Sequence, residues 1–538
     1  MDWSLSRVQD VIAAAVPERD MLVWKDIRRS YGDVHRRTDG LARFLNTHGI
    51  GARRERAELD RWECGQSAVG LVMHNCPEYL EAMLGCYRAR AVPFNVNHHY
   101  TAGELRGLLD MVGVEAIVYH RRLGPLLSAA IDGLHPLLID VDDGSGVPAL
   151  DRSTGFEAAV THSAAGELPV PSPDDLYMVC TGGTTGSPKA VLWRQADIFV
   201  AAMGGSDAAT DATLTQAALA GGGTWFAAPP LMHAAAQWTA FAGLHLGGTV
   251  VLHDDSQRFD AQAILDVAAR EKVTIISMVG DAYARPIIDE LRRAPRDLSS
   301  LQRIGIGGAT TSDASKEALL ELLPHVMILD GYGASETGGM AFGARTQTMD
   351  SPGFAPSTGA LVLSADRTRA LTPGADEIGW TARAGHVPLG YLGDEKKTVE
   401  TFPIVDGQRV AVPGDRATLD AAGAIRMLGR DAMVVNTGGE KVFVEEVEHA
   451  ILQHPDVVDV LVVGRASERF GQEVVAIVQP RPGTSISPSD VREFAARSIA
   501  RFKAPRAVAF CDLVGRHPTG KPDYQWARLA ADTASNAE

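Results

Sequence analysis

Residues 177–193 read YMVCTGGTTGSPKAVLW. An apolar run suited to a strand, Tyr177 to Cys180, enters a turn of small and hydroxyl-bearing residues, and a second strand-like run, Ala190 to Trp193, leaves it. In the turn, Gly182, Gly183 and Gly186 let backbone N–H groups converge, and Thr181, Thr184, Thr185 and Ser187 add hydroxyls. Such a concavity suits a phosphate, and Lys189 closes it with a positive charge. A Walker loop would place Ser or Thr and then a helix after Gly-Lys; here Lys189 follows Pro188 and a strand follows Lys189. Taken alone, the segment also admits the reading of a plain flexible turn, though its density of hydroxyls and its terminal Lys favour the phosphate site.

The flanking sequence predicts a parallel α/β architecture. On the N-terminal side, Val34, Thr38, Leu41 and Leu45 recur at helical spacing within 31–49, with Gly49 where a C′ glycine belongs. The apolar run 68–73 precedes a second helix around 77–89, and the short strands 116–120 and 136–140 alternate with helical patterns. The same rhythm returns after residue 243: TVVLH (249–253), a helix at 261–272, VTIISMVG (273–280), a helix at 284–294 and the strand RIGIG (303–307). Two such layers fill a large domain with pseudo-repeated halves, and no short-period repeat points to a solenoid. Beyond about residue 431 the pattern becomes α+β. Val447, Ala450 and Ile451 share a helix face, DVLVVG (459–464) and EVVAIVQP (473–480) read as strands, and Ser487 caps a helix opened by Pro488. The division expected is 1–430 and 431–538.

The 538 residues correspond to about three to four average domains. Hydrophobic residues at 45% and charged residues at 22% are ordinary globular usage, which excludes a disordered or collagenous chain. With 51 Lys and Arg against 67 Asp and Glu, the net charge is −16, which argues against nucleic-acid binding along a phosphate backbone. The five cysteines form no CxxC pair and no His accompanies them at zinc spacing, so neither a disulfide framework nor a structural metal is expected. Without a signal h-region or a long apolar span, the expectation is a cytoplasmic protein with no transmembrane segment.

Further motifs follow the glycine-rich turn in a fixed order: GGATTS (307–312), GYGASETGG (331–339), PGDRATLDAAGAIRMLGR (413–430), NTGGEKVFVEEVE (436–448) and HPTGKPDY (517–524). Together with TGGTTGSPK they resemble the adenylate-forming superfamily of acyl- and aryl-CoA synthetases, nonribosomal adenylation domains and luciferase, over about residues 90 to 525. The resemblance implies an α/β N-terminal AMP- and acyl-binding domain and a small mobile α+β C-terminal domain that carries a catalytic lysine. It implies ATP, Mg²⁺ and CoA, and a reaction in which a carboxylate attacks the α-phosphate of ATP before a thiol displaces AMP.

Carried over by motif, Thr181, Gly182, Gly183, Thr184, Thr185, Gly186 and Lys189 hold phosphates. Gly307, Gly308, Ala309, Gly331, Tyr332 and Gly333 form the adenine segment, with the Tyr332 ring expected to stack on the base. Asp415 and Arg430 take the ribose. Glu336 is expected to bind Mg²⁺ with the Thr185 hydroxyl contributing, since hard oxygen ligands suit that ion, and Lys521 to bridge the acyl carboxylate and α-phosphate. His233, Val279 and Gly280 are the acyl-pocket candidates, with Ala234 to Ala236 leaving room for a bulky or long apolar tail. The phrasing of VLWRQADIF, PPLMHAAAQW and VGDAYARP is similar to the actinobacterial branch that activates fatty acids and steroid side-chain acids.

Three positions depart from the family pattern: Ala190 replaces Gly, Ala432 stands where a charged hinge residue is usual, and Val444 stands in place of Pro. Two other readings stay open, an acyl-AMP ligase that loads a carrier-protein phosphopantetheine and a non-catalytic nucleotide-binding relative. The absence of a carrier domain after 524 favours free CoA. The remaining partner expected is a second copy, in a homodimer.

Overall fold

The computed structural model describes all residues except 1, 164–165, 182–187, 258, 310, 350–352, 431–432, 438–439, 468–470, 518–519 and 537–538. Two largely parallel sheets carry the N-terminal part. In the first, of eight strands, Leu176–Thr181 lies between Val92–Asn95 and Lys189–Arg194, with Ala68–Val72, Val114–His120 and Leu137–Val141 beyond. In the second, of nine strands, Met327–Ala334, Arg303–Gly307, Ile275–Met278, Thr224–Ala227 and Thr249–Leu252 run parallel in that spatial order. The central strands of the first sheet are buried on both faces and read as near-continuous apolar runs, whereas in the second sheet alternate residues of Ile275–Met278 and Arg303–Gly307 are only partly buried and line a cleft. This is the pair of α/β layers that the sequence predicts.

The predicted helix at 31–49 spans Tyr31–Thr47, opened by a reciprocal capping box between Ser30 and Asp33 and closed by Gly49 in a left-handed conformation. The cap contributes about 1 kcal/mol. One face of this helix meets Pro77–Arg88, and the junction holds a buried ion pair: Arg37 Nε and Nη2 donate to the two Glu81 carboxylate oxygens at 2.8 and 2.9 Å. Glu81 is fully buried, and the other edge of the Arg37 guanidinium reaches Glu157.

Four elements depart from the sequence expectation. The first residues form a helix, Leu5–Ala15, and a strand, Asp20–Trp24, that extends the second sheet beside Thr249–Leu252. Residues 360–430 build an antiparallel six-stranded sheet. The helix predicted at 284–294 begins earlier, at Gly280, with Asp281 supplying first-turn negative charge.

The C-terminal part packs Val444–Leu452, Pro488–Ala495 and Tyr524–Ala531 on a mixed sheet centred on Val457–Ser467 and Gly471–Pro480. Val447, Ala450 and Ile451 are buried, and Ser487 caps the helix opened by Pro488, as the sequence predicts. No described helix is long and apolar enough to cross a membrane.

Candidate active site

The carboxyl ends of the parallel strands are where open α/β sheets bind ligands, and a cleft of about 3620 Å³ opens there, bordered also by the C-terminal part. Thr181, Lys189, His233, Val279, Gly307, Gly308, Ala309, Gly331, Tyr332, Gly333, Glu336, Asp415 and Lys521 all line it. Gly280 does not: it is buried behind Val279 as the first residue of its helix, so the wall there is formed by Val279. Thr181 and Lys189 face each other across the hairpin that closes the glycine-rich turn. Gly182, Gly183, Thr184, Thr185 and Gly186 fall outside the described residues, as does Ala432.

Glu336 sits in the turn between two antiparallel strands, Met327–Ala334 and Gly338–Arg345. Its Oε1 accepts the Tyr391 hydroxyl at 2.7 Å, and the Lys189 ammonium lies 5.3 Å from the centre of the same Tyr391 ring. The candidate phosphate-binding cation and the candidate metal-binding carboxylate therefore share one buried aromatic. The turn is braced from two sides: Trp193 Nε1 donates to Ser335 O at 2.9 Å, and Arg383 Nη1 donates to Thr337 O and Gly339 O at 3.0 and 2.7 Å. Burial lowers the pKa of Arg383. Gly333 is required where these strands close, since a Cβ there would come within 2.2 Å of Gly338 O.

Tyr332 does more than present a ring. Its hydroxyl donates to Asp415 Oδ2 at 2.5 Å and also meets the Thr381 hydroxyl at 3.1 Å, fixing the carboxylate that the sequence assigns to the ribose. Asp415 stands opposite Arg430 in the strand pair Asp415–Leu419 and Ile425–Arg430, although the Arg430 side chain lies outside the described atoms.

Lys521 comes from a tight turn in which Gly520 N donates to His517 O and His517 N to Lys521 O. Arg516 holds this turn from behind. Its guanidinium forks onto Asp459 at 2.6 and 2.7 Å and donates to Gly520 O at 3.1 Å. The turn reaches the wall formed by the first turn of the helix Gly280–Arg293: a Cβ on Gly520 would stand 2.9 Å from the Ala282 Cβ and 3.8 Å from Val279. Burial, with the Lys521 charge adding to it, pushes the His233 imidazole down to about 3, so it is neutral at ordinary pH. His233 Nε2 is buried without a hydrogen-bond partner at the N-cap of Ala234–His245. Met232, Ala234, Trp238, Met278 and Val279 line the same cleft and give it apolar surface.

Tyr391, Arg383 and the Arg516–Asp459 fork escaped the sequence reading. Each acts through a contact between distant segments, and no local spacing marks it.

The family description "AMP-binding enzyme" matches residues 10–376, and "AMP-binding enzyme C-terminal domain" matches 446–521. The medium-chain acyl-CoA ligase Mig of Mycobacterium avium is 42% identical to this chain, covering 98% of each. The 3-oxocholest-4-en-26-oate–CoA ligase of Rhodococcus rhodochrous is 35% identical over 95% of this chain and 93% of its own length. Among solved structures, an anthranilate CoA ligase, AuaEII, in complex with anthranoyl-AMP superposes with a TM-score of 0.81 at 20% identity, covering 98% of this chain and 97% of its own, which is a likeness of fold.

Proposed function

The chain belongs to the AMP-binding enzyme family, and we propose that it is an ATP-dependent acyl-CoA synthetase for a hydrophobic carboxylic acid, a fatty acid or a steroid side-chain acid. One observation carries the reading: Lys189, Glu336, Asp415 and Lys521, drawn from both parts of the chain, line the same cleft as His233 and this apolar surface. The names of the relatives, a medium-chain acyl-CoA ligase and a 3-oxocholest-4-en-26-oate–CoA ligase, support the acid class.

In the first half-reaction a carboxylate oxygen bonds to the α-phosphorus of ATP, and the bond to the bridging oxygen breaks to release pyrophosphate. Attack of an anion on a polyanion makes charge neutralisation and positioning the main catalytic needs. Lys189 and the turn at 181–189 hold the outer phosphates, and Lys521 lies between carboxylate and α-phosphate, a task suited to a flexible point charge. Asp415, held by the Tyr332 hydroxyl, accepts from the ribose hydroxyls, and the segments at 307–309 and 331–333 receive adenine. Glu336 offers a hard carboxylate with one oxygen fixed by Tyr391, a donor that fits Mg²⁺; Thr185 is the second candidate ligand. Bound there, Mg²⁺ would neutralise phosphate charge. The acid tail lies along Val279 and Ala234 to Ala236, with the neutral His233 beside its carboxyl end.

In the second half-reaction the CoA sulfur bonds to the acyl carbon, the bond to the AMP oxygen breaks, and the thiol proton is released. We assign residues 1–430 to the nucleotide- and acyl-binding domain and 431–538 to a mobile domain that withdraws Lys521 for this step. The reading extends to a cytoplasmic homodimer, tested by cell fractionation and light scattering.

The deciding experiment measures AMP release and thioester formation with ATP, Mg²⁺ and CoA over fatty, aryl and steroid side-chain acids. Turnover with one apolar class that needs CoA supports the proposal. Adenylate formation without CoA thioester would replace it with carrier-protein loading, and absence of both with a non-catalytic nucleotide binder. Lys521→Ala is expected to abolish adenylation while sparing thioester formation from supplied acyl-adenylate.

A further inference from the structure

Behind the acid pocket, three segments that are remote in sequence converge on two imidazoles and a carboxylate. His74 follows the strand Ala68–Val72, and His98 follows Val92–Asn95, both in the first sheet; Asp255 follows Thr249–Leu252 in the second. One ligand atom from each lies within 4.8 Å of the other two. His74 and His98 are 9% and 7% exposed, and the His74 and His98 ring centres are 4.1 Å apart.

The unusual feature is what these groups lack. His74 Nδ1, His98 Nδ1 and Asp255 Oδ2 are all buried with no hydrogen-bond partner, although buried polar atoms are nearly always satisfied. The other oxygen of Asp255 is committed: Oδ1 accepts Asn75 N–H at 2.7 Å and stands 3.5 Å from His74 Nδ1. The neighbouring His120 is also committed, since its Nδ1 accepts the His74 backbone N–H at 3.2 Å. Each of the three residues that converge here thus carries a buried donor atom, of a type that binds zinc, without a hydrogen bond, and the carboxylate is already oriented by an outer hydrogen bond.

We propose that His74, His98 and Asp255 bind a divalent transition-metal ion of the zinc type, at a site separate from the Mg²⁺ expected at Glu336. Two imidazoles and one carboxylate suit zinc better than magnesium or calcium, which take mainly oxygen ligands. A tetrahedral zinc with bonds of about 2.0–2.1 Å holds its ligand atoms about 3.3 Å apart, so side-chain rotation must close about 1.5 Å. Such an ion would tie together the carboxyl ends of strands from both parallel sheets. It would also set the pocket wall, because Asn97 and His99, on either side of His98, line the cleft, and Asn75, next to His74, fixes the 229–231 segment through Pro229 O and Leu231 N. The expectation that the chain carries no structural metal rested on its cysteines. These ligands are spread from residue 74 to 255, and no local spacing reveals them.

The test uses the full chain without a polyhistidine tag, stripped with chelator and titrated with Co²⁺ alone, then Zn²⁺. One equivalent of Co²⁺ is expected to give visible d–d absorption that Zn²⁺ bleaches. His98→Asn and Asp255→Asn are each expected to weaken this binding beyond the roughly 10–100-fold loss typical of an outer-shell change, while His135→Ala leaves it intact. No tight Co²⁺ spectrum, or a spectrum that survives in both ligand variants, overturns the site. If a variant does not fold, X-ray absorption on the unaltered zinc-loaded chain decides. Two imidazoles with oxygen support the assignment, and a sulfur-containing shell or absence of bound zinc refutes it. These readouts are independent of turnover, so they separate the metal site from the ligase reading.

Discussion

Replacing Gly520 by Ala should separate the two half-reactions. Gly520 has φ +79°, and a side chain there costs about 1–2 kcal/mol of left-handed strain wherever the lysine turn sits. That part of the cost is common to both arrangements proposed for the C-terminal domain. The second part is not. With the turn against the pocket wall, the new methyl would stand 2.9 Å from the Ala282 Cβ, closer than two carbons tolerate. Overpacking of this size costs about 1–3 kcal/mol, and at 1.36 kcal/mol per tenfold in rate adenylation should fall by roughly 5- to 150-fold. Thioester formation from supplied acyl-adenylate does not need this contact and should stay within about twofold of the unaltered enzyme. Acid-dependent pyrophosphate release and CoA-dependent AMP release from the adenylate measure the two steps. The partner substitution Ala282→Gly removes the opposing methyl, at about 1 kcal/mol of helix stability, and should restore most of the lost adenylation in the double variant. Equal losses in both half-reactions, or no rescue by Ala282→Gly, would refute docking of Gly520 on this wall as the adenylating arrangement.

Tyr391→Phe removes the hydrogen bond to Glu336 and keeps the ring beside Lys189. A hydrogen bond to a charged group contributes about 1.5–3 kcal/mol, so pyrophosphate release should fall at least about tenfold, with a higher Mg²⁺ requirement in a metal titration. Arg37→Leu leaves the Glu81 carboxylate buried without its main partner and should cost about 3–5 kcal/mol in urea unfolding; adding Glu81→Leu should recover much of it. His386 donates between Asp197 and Asp207, which raise its pKa above the ordinary 6.5. Its contribution to stability is therefore full below about pH 6.5 and is lost as pH rises through the folded-state value. The melting temperature of His386→Gln should fall less than that of the unaltered chain between about pH 6 and pH 8, and parallel curves would contradict this.

The legible parts of the molecule are those whose signal is local. The helix Tyr31–Thr47 carries its face, its Ser30 cap and its Gly49 stop within twenty residues, and the hairpin around 181–189 is written in consecutive apolar and glycine runs. The antiparallel sheet of 360–430 was not legible because its strands are short and pair out of sequence order, with Gly379–Ala384 lying between Gln408–Ala411 and Asp415–Leu419. Asp20–Trp24 was missed for a related reason: its parallel partner lies more than two hundred residues away. At the site, motifs marked Glu336, Asp415 and Lys521, but not what holds them. Tyr391, Thr381 and Asp459 acquire their roles only where separate segments meet, and a single sequence carries no trace of such meetings.

The position of the lysine turn has an energetic consequence. Val279 lines the cleft where the acid tail is proposed to lie, and the same residue and Ala282 form the surface on which Gly520 rests. An acid that fills the pocket and presses on Val279 therefore acts on the docking surface of the C-terminal part as well. Thermodynamic linkage makes the effect reciprocal: if docking improves the fit of the acid, the acid must favour docking by the same factor. A short acid that leaves Val279 untouched gains nothing from this coupling. If the C-terminal part moves as proposed, selectivity for chain length should appear in the rate of adenylation more strongly than in acid binding with Lys521 withdrawn, because Gly520 and Lys521 then reach the Val279 wall only in the adenylating arrangement.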